Sequence, residues 1–160
     1  MSDFAKSWRL SRHRFEDSVV DLNHEQLNFR LHEGILTPGE MALHVVGVEI
    51  WFITQLSGVV LNQAELRLTK AAVDGVVNEN PFPYDSEEIS PAMVTWAFNR
   101  GKMHVEGHID RPAEAFLTKE IKSALGPVIT GEGALARLAF HPAYHQGQIH
   151  LIRTSPSFPG

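Results

Sequence analysis

Thr37-Pro38-Gly39-Glu40-Met41-Ala42-Leu43-His44-Val45-Val46-Gly47-Val48-Glu49-Ile50-Trp51-Phe52 is the stretch from which the fold is read. It opens with a helix start signal. Thr37 stands at the N-cap, Pro38 at the first helical position and Glu40 at the third, so a hydroxyl and a carboxylate can each satisfy a backbone N–H that has no helical partner. The apolar run then continues through Leu56 to a stop at Ser57-Gly58. His44, Glu49 and Gln55 interrupt the apolar stretch Met41 to Leu61, so the reading is a buried core helix and not a membrane span.

Three further helices follow from similar signals. Phe4, Trp8, Phe15, Val19 and Leu22 recur at helical spacing and predict a first helix from about Asp3 to His24. Glu25 to Leu36 reads as a connection whose Phe29, Leu31, Ile35 and Leu36 reach the core edge. Ser90-Pro91 starts a third helix that runs to Asp110 and is stopped by Arg111-Pro112. The fourth helix spans Thr130 to Thr154 and contains Pro142, which removes one backbone hydrogen bond and predicts a kink or a local bulge.

Between these lie segments with weaker signals. Within Val59 to Ile89, Gln63 to Val73 is expected as a short helix, while Pro81 and Pro83 exclude regular helix around them. Ala113 to Ile129 is expected to be loop with a turn at Gly126-Pro127, and Ser155 to Gly160 a frayed tail. Four helices of about twenty residues with one or two long connections describe an all-α, four-helix-bundle domain over residues 1–160.

Composition narrows the function. Hydrophobic residues make up 43% and charged residues 21%, an ordinary globular balance. A net charge of −5 argues against a nucleic-acid partner, which needs a basic face. The one basic cluster, Arg9, Arg12, His13 and Arg14, runs directly into Glu16 and Asp17 and reads as a solvated helix face. The N-terminal residues show no apolar signal-peptide core. There is no cysteine, so any metal must be held by His, Asp or Glu, and a reducing cytoplasmic setting is expected.

Nine histidines is a high count for 160 residues. His141 and His145 stand four apart, so their imidazoles stack on one helix face with Ala134, Leu138 and Ile152. His150 falls on roughly the opposite face. His44 shares its face with Met41, Val48 and Trp51, which also points inward. Facing helices would bring it to the pair, and three imidazoles form an open metal site. The same spacing recurs at His104 and His108, beside Met93 and Ala97. Gly101 and Gly107 weaken that helix and the pair lies near its end, so His104 and His108 are expected to line a pocket or cap a terminus. Trp51 and Phe52 read as core, compatible with a pocket wall, and Glu49 as a solvent-facing charge with an active-site acid as the alternative.

The sequence from His141 through His145, Gly147, Gln148 and Ile149 to Arg153 resembles the last-helix motif of the DinB/YfiT-like superfamily, and Thr37 to Phe52 looks like that family's second-helix pattern. The resemblance covers essentially the whole chain in length and helix order, departing from the pattern at Pro142. It implies a four-helix bundle with a long crossover, a divalent metal on His44, His141 and His145, and a homodimer. Three imidazoles suit zinc or nickel, with iron or copper as further options. The resemblance also implies an enzyme acting on a small-molecule substrate. Members with known activity are metal-dependent transferases or isomerases that use low-molecular-weight thiols such as bacillithiol, mycothiol or glutathione. Others carry names linked to DNA-damage induction or metal-dependent hydrolysis. Gln148 and Tyr144 are expected around the ligands, orienting them. The alternative is a non-catalytic metal-binding or stress-response protein.

Overall fold

The computed structural model describes residues 1–160. The chain is mostly helical: α1 (Asp3–Asp17), α2 (His24–Leu27), α3 (Pro38–Ser57), α4 (Gln63–Lys70), α5 (Pro91–Ile109), α6 (Glu114–Thr118), a two-stranded hairpin of β1 (Glu120–Lys122) and β2 (Val128–Thr130), and α7 (Gly131–Arg153). No helix is long and apolar enough to cross a membrane. Among the four long helices, α1 packs along α7 and α3 along α5, and α3 also meets α7.

The α3 start signal forms as written. Glu40 N donates to Thr37 Oγ1 (3.2 Å) and Thr37 N donates to the Glu40 carboxylate (2.8 Å). Gly58 ends the helix at φ 74°, a left-handed conformation that suits glycine. Nearly all of α3 is buried, which places it at the centre of the fold.

Four expectations need correction. The first helix stops at Asp17, not His24, because Ser18 caps it and the chain turns before Asn23 opens α2 with its own capping box. Val19 and Leu22 nevertheless reach the core, since tight turns keep their spacing close to helical. The short helix after Val59 ends at Lys70. The segment Ala113 to Ile129 is not simply loop: it holds α6 and the hairpin, in which Ile121 pairs with Ile129. Strands of three residues are too short to betray themselves by alternation. The tail is docked, with Phe158 edge-on against Phe29 (5.5 Å between ring centres) and the Pro159 carbonyl accepting from Gln26 Nε2 (3.1 Å).

The expected solvated basic face of α1 is also only half right. Arg9 reaches Asp110 at the protein surface, but Arg12 is buried. Its Nε donates to Glu49 Oε1 (2.9 Å), its Nη2 to the Phe98 carbonyl (3.3 Å), and its guanidinium lies 4.5 Å over the Phe98 ring. Trp8 Nε1 donates to the same Glu49 oxygen (2.8 Å). Glu49 is therefore neither solvent-facing nor an active-site acid: at 1% exposure it ties α1 to α3 and α5. Arg12 Nη1 also pairs with Glu16 (2.5 Å), so Glu49→Ala removes the more buried of its two counter-charges and should cost about 1.5–3 kcal/mol, measured as a lowered denaturant midpoint. The double variant Arg12→Met/Glu49→Ala should lose less than the two single losses together.

Candidate metal centre

Three histidines from two helices converge at the α3–α7 contact. His44 Nε2 lies 3.1 Å from His141 Nε2, and His145 Nε2 lies 3.0 Å from the same atom. Their ligand atoms all fall within 4.8 Å of one another, and no other histidine, aspartate or glutamate joins them. The α7 helix runs unbroken through Pro142, so the expected kink or bulge does not separate His141 from His145.

The local sequence explains how His44 arrives. One turn further along α3, Gly47 has no side chain where a Cβ would stand 2.5 Å from the Leu68 carbonyl and 3.0 Å from Ala72 N. That absence lets the end of α4 and the turn after it close onto α3. The Ala71 carbonyl then meets His44 Nδ1 at 2.8 Å. A carbonyl only accepts, so Nδ1 carries the hydrogen and Nε2 turns a bare lone pair toward α7. His145 is set the same way, its Nδ1–H donating to Gln148 Oε1 (2.7 Å). Gln148 Nε2 donates in turn to the Tyr144 hydroxyl (3.3 Å). Tyr144 is half-exposed, with its ring edge-on to His145.

This arrangement fits a cation. His141 Nε2 faces two lone pairs and can donate a hydrogen to only one of them, and its Nδ1 is buried without a partner. Nitrogens held about 2.1 Å from one ion are about 3.0–3.4 Å apart at octahedral to tetrahedral angles, which matches the two spacings to His141, while the third pair, His44 and His145, lies within 4.8 Å. Burial pushes all three imidazoles toward the neutral form that metal coordination requires. His44 is lowered by burial, against the Ala71 hydrogen bond. His141 falls well below the ordinary imidazole value through burial and the neighbouring His44 and His145. His145 is lowered to about 3 by burial and His44, with Gln148 opposing.

The second four-residue histidine pair does not form a site. His104 Nε2–H donates to Glu65 Oε1 (3.0 Å), which Arg100 also contacts. Burial opposes ionisation of Glu65, but the hydrogen bonds from His104, Arg100 and the Asn62 backbone outweigh it and bring its carboxyl down to about 2. His108 Nδ1–H donates to the His104 carbonyl (3.0 Å), and its ring stacks on Phe116. Neither lines the cavity at the metal centre, and His150 is exposed on the far side of α7.

That cavity encloses about 730 Å³. His44, His141 and His145 form part of its wall, with Tyr144 and Gln148 beside them and Met41, Val48 and Phe52 supplying apolar surface. Phe52 is thus both core and pocket wall, while Trp51 stacks on it outside the cavity. Sequence reasoning missed Gly47, Ala71 and the hairpin residue Ser123. Only the glycine left a signal, one turn from His44 on the same helix face.

Searches of protein-family models, curated proteins and solved structures return no match for this chain.

Two outcomes follow from the geometry. Protein purified without a histidine tag should bind about one divalent ion per chain. The ion should be lost in His44→Ala or His145→Ala and kept in His104→Ala, as read by elemental analysis; retention in His145→Ala would move the site. The metal-free protein should also lose stability in acid. Above the ordinary imidazole value near 6.5 the three histidines are neutral whether folded or not, so they add no pH dependence. Below it the unfolded chain takes up protons that the fold refuses, down to about 3 for His145. Each fully shifted imidazole should remove roughly 2 kcal/mol between pH 7 and pH 5, seen as a falling urea midpoint. A midpoint that stays flat over this range would contradict buried neutral imidazoles.

Proposed function

We propose that this protein is a metal-dependent enzyme acting on a small molecule, with its divalent ion on His44, His141 and His145. The observation that carries the reading is three buried or half-buried imidazoles whose ligand nitrogens lie within 4.8 Å of one another on the wall of a cavity of about 730 Å³. The resemblance of Thr37 to Phe52 and His141 to Arg153 to the DinB/YfiT-like superfamily supports it. On that reading the four long helices are a four-helix bundle with a long crossover, and the protein works in the cytoplasm as a homodimer. Zinc or nickel is the proposed metal, with iron or copper also compatible with three imidazoles.

A divalent ion on three neutral imidazoles keeps its full charge and lowers the pKa of a water or thiol at its open position. The chain's own residues do the rest. Ala71 and Gln148 hold His44 and His145 in the tautomers that present Nε2. Met41, Val48 and Phe52 keep that side of the cavity apolar, which strengthens charge interactions inside it. His104, a side chain that could have closed the fourth position, is engaged with Glu65.

The cavity wall contains no aspartate or glutamate. The wall therefore offers no carboxylate general base, and a water or thiol held by the ion would pass its proton to solvent. Transfer of a low-molecular-weight thiol to an electrophile is proposed ahead of hydrolysis because the family resemblance implies it. The same missing acid–base group favours, as the second reading, a non-catalytic protein that binds a metal or ligand in a stress response.

Cobalt(II) substitution separates the two. Titrating mercaptoethanol into the cobalt protein should produce a sulfur-to-metal charge-transfer band, absent in His145→Ala, and chlorodinitrobenzene should then be consumed with the thiol. Cobalt bound with no thiol band and no turnover would leave the binding-protein reading.

A further inference from the structure

The cavity beside the three histidines has an uneven charge. Of its 21 lining residues none is acidic, although the chain carries 19 aspartates and glutamates and a net charge of −5. Two arginines line it. Arg30 brings its own counter-charge, since its Nη2 donates to Glu40 (2.7 Å) and its Nη1 to the Ile35 carbonyl. Arg137 does not. Its one hydrogen bond runs from Nη1 to the Ser123 hydroxyl (2.8 Å), and no carboxylate pairs with it.

The fold holds Arg137 in place. Ser123 is buried in the turn of the β1–β2 hairpin, where its N–H donates to the Pro127 carbonyl and its carbonyl accepts from Gly126 N. The hairpin thus braces one nitrogen of the guanidinium and leaves its other donors unengaged. Arg137 also precedes His141 by four residues on α7, so it stands on the same helix face, about 6 Å away along the axis. Between and around these groups lie apolar side chains, among them Phe52, Val76 and Phe140.

We infer that the cavity recognises an amphipathic organic anion, with Arg137 as its specificity residue: a carboxylate, sulfonate or phosphate pairs with the guanidinium while an apolar body fills the pocket and extends toward His141. This deepens the proposed function and rests on reading the cavity as the substrate site. Arginine presents a planar fork of donors that matches such oxyanions. An apolar, acid-free wall makes the pairing count for more than it would in water.

The test compares two dyes that differ by one group: anilinonaphthalene sulfonate and its sulfonate-free parent, phenylnaphthylamine. Each is titrated by fluorescence into zinc-loaded and metal-stripped protein, with near-UV circular dichroism confirming the fold. The sulfonate should bind at least about tenfold tighter than the parent in both forms. Arg137→Gln should abolish that preference and leave parent binding unchanged. Arg137→Lys, which keeps the charge and guards against a folding defect, should retain part of it. Displacement of the bound sulfonate by octanoate or by octyl phosphate then identifies the head group, and displacement by neither would count against the inference. Equal affinity for the two dyes, or a preference that survives in Arg137→Gln, overturns it. The two readings fail separately. Protein that binds no ion yet keeps the Arg137-dependent preference loses only the metal, and protein that binds an ion but does not distinguish the dyes loses only the anion site.

Discussion

A guanidinium and a carboxylate buried between three helices set the rotation of the central one. Arg12 of α1 and Glu49 of α3 meet at 2.9 Å, Trp8 shares the same carboxylate oxygen, and Arg12 also reaches the backbone of α5. A charge in the core must be matched within hydrogen-bonding distance, so Glu49 points at the Arg12 and Trp8 donors of α1. Five residues along a helix correspond to about 140° of rotation. With Glu49 directed at α1 and α5, His44 is turned to the other side of α3, where α4 and α7 pack. The ion pair contributes no chemistry of its own, yet it decides which way the histidine faces.

Small residues complete what that rotation begins. Gly101 on α5 lies against Glu49, where any side chain would collide with the carboxylate, so α5 can approach α3 closely. Gly47 does the same for the end of α4 and so delivers the Ala71 carbonyl to His44. The three-histidine cluster therefore depends on two close approaches and one buried ion pair, none of which lies in the cluster itself. Pro142 fits the same economy. Its missing N–H lies within a helix whose neighbouring turns hold their geometry, and the two imidazoles flanking it stay 3.0 Å apart.

The site joins a stiff part and an open part. His44 and His145 are buried and each is oriented by a hydrogen bond to its second nitrogen. Beside them stands the half-exposed Tyr144, and the hairpin turn and the exposed Phe140 form another part of the cavity wall. Buried, oriented imidazoles suit a centre that must hold its geometry, while a wall built partly of exposed apolar groups suits a ligand that arrives from water.

The sequence by itself determined where the long helices start and which histidines face inward. Capping at Thr37 and Ser90 is local hydrogen bonding, and a four-residue spacing stacks His141 and His145 whatever surrounds them. Local signals had the opposite weakness at His104 and His108, where the same spacing carries a different outcome because Glu65 from another helix engages one of them. Only tertiary structure decided that. It also decided the fate of Arg12 and Glu49, which as isolated charges read as solvent-facing, and the place of Ser123, which lies in a hairpin too short to leave a pattern. The physical reason is common to all three: a helix period or a cap is written within a few residues, whereas the partner that gives a polar side chain its role arrives from elsewhere in the chain.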